Sequence, residues 1–217
     1  MKRTFLIGLT ALSLAACATD PVTGESIYGR TATGAGIGAI VGGIGGVFAG
    51  GKDGRNIAVG AAVGALSGAA IGRYMDGQEE DMRRKVAASG IGIQRMPDGS
   101  IQLVMPSDVT FSKGSASLDQ SFTPVLDKVA ESLNLYPKTT IDIIGHASTE
   151  GEAQANLNLS YARAQSVSTY LQGKGVIGQR IATGGLGETQ PLVFPDNTEA
   201  QRSQNRRVVV TLRPVTQ

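Results

Sequence analysis

His146 is the one histidine of the chain, and Ser148 and Glu150 follow it at two-residue steps. A base, a hydroxyl and a carboxylate are the ingredients of nucleophilic hydrolysis, in which the base takes the hydroxyl proton and the acid orients the base. Closeness along the chain does not supply the required geometry, and no catalytic residue is expected from it. The acids show no paired arrangement of the glycosidase kind either. A second candidate is Gly46-Val47-Phe48-Ala49-Gly50-Gly51-Lys52, which fits the first seven positions of a phosphate loop. Asp53 stands where a magnesium-binding Ser or Thr is needed, and an acid there repels phosphate, so that reading is rejected. Cys17 is the only cysteine. A lone thiol makes no internal disulfide and no multi-cysteine metal site, so neither metal nor cofactor is expected.

The setting of Cys17 suggests another chemistry. Lys2 and Arg3 precede an apolar run from Phe5 to Leu14, and small residues lead to the cysteine. That is the pattern of an export signal over residues 1–16, too short for an ordinary transmembrane helix. Leu14-Ala15-Ala16-Cys17 resembles the lipobox of bacterial lipoproteins. The resemblance implies a diacylglyceryl group on the Cys17 sulfur and an acylated new amino end, with 17–30 as a tether. Acyl chains at about 0.8 kcal/mol per buried CH₂ make a durable anchor. Ala18, rather than Asp, after the cysteine points to the outer membrane under the sorting rule of those lipoproteins. Loss of 1–16 removes two bases and no acid, so 20 basic and 18 acidic residues become 18 and 18. A neutral chain lacks the dense positive face that nucleic-acid binding requires.

Between the tether and the polar half of the chain lie two glycine ladders. Gly34, Gly38, Gly42, Gly46 and Gly50 keep a step of four, and Gly60, Gly64, Gly68 and Gly72 resume it. On a helix such a step strips one stripe of side chains and lets another backbone approach, the basis of G-x-x-x-G contacts in membranes. Ile37, Val41, Ile44, Val47, Val63 and Leu66 fill the intervals, and Lys52-Asp53-Gly54-Arg55-Asn56 breaks them. The expectation is a hairpin over 31–73, with helices of about 31 Å (31–51) and about 24 Å (57–72). The nine glycines between Gly34 and Gly51 cost roughly 7–9 kcal/mol relative to alanine, which only close packing in lipid or an oligomer offsets. A flexible glycine-rich linker is the alternative.

Beyond residue 73 the pattern becomes ordinary. Residues 74–107 read as a connector: a polar helix with acids leading and bases following, then a hairpin around Pro97-Asp98-Gly99. From 108 to 217 the reading is α/β, in the order β-α-β-α-β with a closing strand. Phe122, Val125, Leu126, Val129 and Leu133 recur at helical spacing before Pro137. Residues 140–145, 181–187 and 207–212 are strand-like, and a long helix is expected over 152–172 with Leu159, Val167, Tyr170 and Leu171 inward.

That helix carries Asn156-x-x-Leu159-Ser160-x-x-Arg163-Ala164. Gly145-His146 stands upstream, and Gly185-Leu186-Gly187-Glu188, Pro191 and Asn205-Arg206-Arg207-Val208 follow downstream. Together these resemble the OmpA-like C-terminal domain, over about residues 108–214. With the lipobox, the glycine zipper and "YMDGQEEDMRRKVAASGIGI", the whole chain resembles the YiaD-type lipoproteins. The resemblance implies an OmpA-like sandwich, no catalysis, His146 as a structural residue in a strand-end turn, and binding of peptidoglycan through the diaminopimelate of its stem peptide. In the family an Asp fifteen residues before the helix Arg meets the ligand ammonium, and the Arg meets its carboxylate. Arg163 keeps the Arg position, whereas the Asp position holds Ser148. Thr149 and Asn156 are expected to shape the site, and Glu150 to stand in for the missing acid. Ser112, where close relatives often carry Asp, is a second departure.

Three functions stay open at this point: an envelope tether to peptidoglycan, an interaction or regulatory lipoprotein whose peptidoglycan affinity is weakened at Ser148, and an oligomeric membrane assembly built by the ladders.

Overall fold

The computed structural model of the chain describes residues 64, 66 and 68–216. Every described residue belongs to one compact unit. The expected signal peptide, Cys17, the tether and the ladder positions Gly34, Gly38, Gly42, Gly46, Gly50 and Gly60 lie outside the described residues.

The elements run α1 (Gly68–Lys85), β1 (Gly92–Arg95), β2 (Ile101–Pro106), α2 (Ser107–Thr110), α3 (Thr123–Leu135), β3 (Thr139–His146), α4 (Ala153–Gly173), a 3-10 turn (Gly178–Arg180), β4 (Ile181–Gly185), α5 (Glu199–Asn205) and β5 (Arg207–Pro214). The strands form one sheet in the order β1-β2-β5-β3-β4. β5 lies antiparallel between β2 and β3, and β4 runs parallel to β3. Parallel neighbours need a crossover, which α4 supplies. Alternate residues on one sheet face, such as Leu103, Ile143 and Val210, are buried together with Met75 and Met82 of α1, Leu126 and Leu133 of α3, and Val167 and Leu171 of α4. The period of two in the strands meets the period near 3.6 in the helices, and a mixed α/β sandwich results.

Two expectations about the connector change. Residues 74–107 are not a spacer outside the domain: β1 and β2 supply two of the five strands, and α1 places Met75, Met82 and Val86 in the shared core. The last ladder positions do not extend one helix from 57 to 72 either. Gly64 has φ 77° and Gly68 φ 27°, outside the right-handed helical region. Leu66 between them is buried and its N–H donates to the Val215 carbonyl at 2.8 Å. The helix therefore begins at Gly68 and continues through the expected boundary at 73, because Tyr74, Met75 and Met82 give it an apolar side to bury.

A pair of glycines fixes where α4 sits. Gly145 and Gly185 are paired in register across β3 and β4. A Cβ on Gly145 would lie 1.9 Å from the Ser160 carbonyl oxygen, and one on Gly185 would lie 2.4 Å from the Tyr161 nitrogen. The two glycines make a bare patch on which the α4 backbone rests directly. Arg180 secures the junction between α3 and β3. Its Nε donates to the Thr139 carbonyl (2.8 Å), Nη1 to the Leu133 carbonyl (2.7 Å) and Nη2 to the Tyr136 carbonyl (3.0 Å). The carbonyls at the C-terminal end of α3, which no helical N–H can reach, are thereby satisfied by a buried cation. Burial pulls the Arg180 pKa down to about 10, which leaves it charged near neutrality.

Candidate functional site

The turn after β3, the first half of α4, α2 with the loop after it, and α5 with the residue that follows it converge on a pocket of about 610 Å³, within the range of ordinary ligand sites. Arg163 forms its base. The residue is 4% exposed, and its guanidinium lies 5.3 Å from the Phe111 ring centroid. Its Nε donates to the Ser115 carbonyl at 3.0 Å. Among the described residues no carboxylate comes within ion-pair distance of it. Burial lowers the pKa of this guanidinium, with Asp108 partly opposing the shift. A buried fork of donors stacked on an aromatic ring and open to a cavity is suited to a carboxylate.

Of the residues singled out from the sequence, Ser148, Glu150, Asn156 and Arg163 all line this pocket, as does Ser112. Asn156 holds the turn after β3: its Nδ2 lies within hydrogen-bond distance of the carbonyls of Ser148 (3.1 Å) and Glu150 (3.0 Å) and of Glu188 Oε2 (2.8 Å). Thr149 is a correction. It does not line the pocket, because its hydroxyl and its N–H (3.0 Å) both donate to the Asp196 carboxylate, which Asn205 also bonds. Thr149 thus ties the turn to the loop before α5. Leu159 also departs from its expected inward role, being half-buried against the pocket.

Asp108, Lys113, Glu199 and Arg206 also line the pocket and were not foreseen as site residues. Arg206 donates from Nε and Nη2 to the two oxygens of Asp108 (3.0 and 2.8 Å) and from Nη2 to Glu199. The Arg206 guanidinium holds the Asp108 carboxyl below its ordinary pKa. The helix that presents Glu199 starts at a capping box, in which Thr198 Oγ1 accepts from the Gln201 N–H and Gln201 Oε1 accepts from the Thr198 N–H. Thr198-Glu199-Ala200-Gln201 carries that pattern in the sequence and would have located α5. Asp108 and Arg206 stand 98 positions apart, and nothing local pairs them.

His146 takes no part in the pocket. It is 1% exposed at the end of β3, opposite Arg207 in register, and neither ring nitrogen has a hydrogen-bond partner among the described residues. Burial, with Arg207 adding to it, depresses the ring's pKa to about 3. The folded protein therefore keeps a neutral ring while the unfolded chain takes up a proton below about pH 6.5. Stability is undiminished above that pH and is lost progressively between about 6.5 and 3, at up to about 1.4 kcal/mol per pH unit. Urea unfolding at pH 6.5 and 4.5 should show wild type losing about 2–3 kcal/mol more than His146→Phe; equal losses would contradict the assignment.

The model of the OmpA family matches residues 110–206, and that of the YMGG-like Gly-zipper matches residues 1–76. The protein named Probable lipoprotein YiaD of Escherichia coli (strain K12) is 41% identical over 219 residues, 99% of each chain. The chain belongs to the OmpA family. The peptidoglycan-associated lipoprotein of Rhizobium meliloti, another relative, is 31% identical over 62% of this chain and 77% of its own. Among solved structures, the cell wall anchor of the T6SS from Pseudomonas aeruginosa superposes with a TM-score of 0.54 at 26% identity, covering 63% of this chain and 99% of that one. The OmpA-family match begins at Thr110 and ends at Arg206, so β1, β2 and β5 all lie outside the matched segment. No helix among the described residues is long and apolar enough to cross a membrane.

Proposed function

We propose that this OmpA-family chain is a non-enzymatic envelope lipoprotein that holds peptidoglycan through the diaminopimelate of its stem peptide, while lipid on Cys17 fixes it to the outer membrane. The observation that carries the reading is Arg163, a buried guanidinium that lines the pocket and that no carboxylate among the described residues pairs. The ligand carboxylate completes that fork. Asn156 holds the turn that brings Ser148 to the pocket, Ser148 offers a hydroxyl, and Glu150 supplies the negative charge that residue 148 lacks. Two relatives, a peptidoglycan-binding protein and a peptidoglycan-associated lipoprotein, support the same ligand class by their names.

Retention on purified sacculi tests the binding half. Wild-type chain is expected to sediment with them, and Ser148→Asp to bind about tenfold tighter, because a charge-assisted hydrogen bond replaces a neutral one. A second reading, an interaction lipoprotein with other partners, is favoured by the uncharged Ser148, and it predicts sedimentation only after Ser148→Asp. The anchoring half is tested by Cys17→Ser, which should move the protein from the outer-membrane fraction to the soluble periplasm. Persistence in the membrane through the glycine ladders alone would count against lipid anchoring and for the oligomeric assembly, in which the ladders pack copies of the chain together.

A further inference from the structure

Three carboxylates line the pocket, Asp108, Glu150 and Glu199, and a ligand that carries an ammonium beside its carboxylate needs one of them. Two are committed. Asp108 takes the Arg206 fork and the Ser203 hydroxyl at 2.7 Å. Glu199 accepts from Arg206 and from Arg202 Nε at 3.2 Å. Glu150 has a side chain 68% exposed, and its one ion-pair contact among the described residues is Arg202, with Nε 3.4 Å from Oε2. Arg202 is itself held in place, since its Nη1 donates to the carbonyls of Asn197 (3.2 Å) and Asp196 (3.5 Å). A tethered cation is thus parked at the one carboxylate of the pocket that no guanidinium grips by a hydrogen bond.

We infer that Arg202 is a built-in competitor for the ammonium of the ligand, and that the competition at Glu150 sets how strongly the pocket prefers zwitterions to plain carboxylates. The inference rests on the pocket reading proposed above. An ammonium that reaches Glu150 displaces Arg202, and Arg202 keeps Glu199 and two carbonyls, so the exchange leaves no charge stranded. A dicarboxylate without ammonium makes no use of Glu150 and gains from the nearby positive charge of Arg202. Exposed ion pairs of this kind are weak, so the competition tunes affinity without abolishing it.

The test is titration of the full-length chain in mild detergent, followed by NMR, with meso-diaminopimelate and with pimelate, the same diacid lacking both ammonium groups. Arg202→Gln is expected to bind diaminopimelate about two- to fivefold tighter and pimelate no tighter. In a Glu150→Gln background the gain from Arg202→Gln should vanish, because its target is gone. A gain that survives there, or none at all in Arg202→Gln, would overturn the inference. Should Arg202→Gln loosen the loop before α5, the Arg202 Nε–H resonance of the wild-type chain decides: a shift on adding diaminopimelate but not pimelate upholds the inference, and no shift with either overturns it. Arg163→Ala separates the two levels. Loss of both ligands upholds the pocket on which the inference stands, and unchanged binding of both would remove the pocket reading and the inference with it.

Discussion

Gly145→Ala is expected to destabilise the fold by about 3 kcal/mol or more and to abolish ligand binding in whatever folded protein remains. The added methyl would sit 1.9 Å from the Ser160 carbonyl oxygen and 2.6 Å from the carbon that bears it. Both are backbone atoms, so no side-chain rotation relieves the clash. Either β3 or α4 has to move as a unit, and packed interiors resist such shifts. The Ser160 hydroxyl, which accepts from the Gly187 N–H at 2.9 Å, would lose its partner in the same movement. Arg163 stands one turn further along α4 and would leave its place over Phe111. Chemical denaturation and sacculus binding, measured on one preparation, check both halves. A variant with wild-type stability would show that the glycine pair does not set the height of α4.

Arg163→Ala is expected to reduce binding at least about thirtyfold, from the roughly 2–5 kcal/mol lost when one partner of a buried charge pair is removed. The fold should survive it. Among the described residues the guanidinium makes one hydrogen bond, to the Ser115 carbonyl, and stacks on one ring, while Ala164, Val167 and Leu171 hold α4 to the core. Arg163→Lys should recover only part of the loss, since an ammonium keeps the charge but not the planar fork. Binding that is unaffected by Arg163→Ala, with the fold intact by circular dichroism, would place the ligand elsewhere.

The strands and long helices of this chain are legible in its sequence for a plain reason: a half-buried strand alternates and an amphipathic helix repeats near 3.6, and both periods are local. Residues 123–135 carry the helical period, whereas 139–146 and 207–214, buried on both faces, are legible as short apolar runs. What periodicity leaves out is partnership. Nothing in Ile101-Gln102-Leu103 says that it pairs with β5, more than a hundred residues away, so the hairpin reads as part of a connector. The same limit hides the Asp108–Arg206 pair. Arg180 is another case, since an arginine beside a strand reads as a surface residue, and only the fold shows that the C-terminal carbonyls of α3 require it. At the site, Arg163, Ser148, Glu150 and Asn156 are legible through the spacing of a known motif. Thr149, part of the same motif, is turned away because Asp196 captures both of its donors.

The zwitterion reading also explains why a pocket can work with serine at position 148. The charges lining it balance, with Asp108, Glu150 and Glu199 against Lys113, Arg163 and Arg206. Arg206 offsets one of the two negative charges of Asp108 and Glu199, and Arg202 beside Glu199 offsets the other. Arg163 and Glu150 are left as the opposite charges facing the cavity, with Lys113 in the loop after α2.

The most direct measurement is retention of the full-length chain on sacculi of two kinds, one with diaminopimelate and one with lysine at the third position of the stem peptide, with free meso-diaminopimelate as competitor. The account predicts sedimentation with the diaminopimelate walls, little with the lysine walls, and release by free diaminopimelate but not by lysine. Equal retention on both walls, or retention that free diaminopimelate does not reduce, would contradict it.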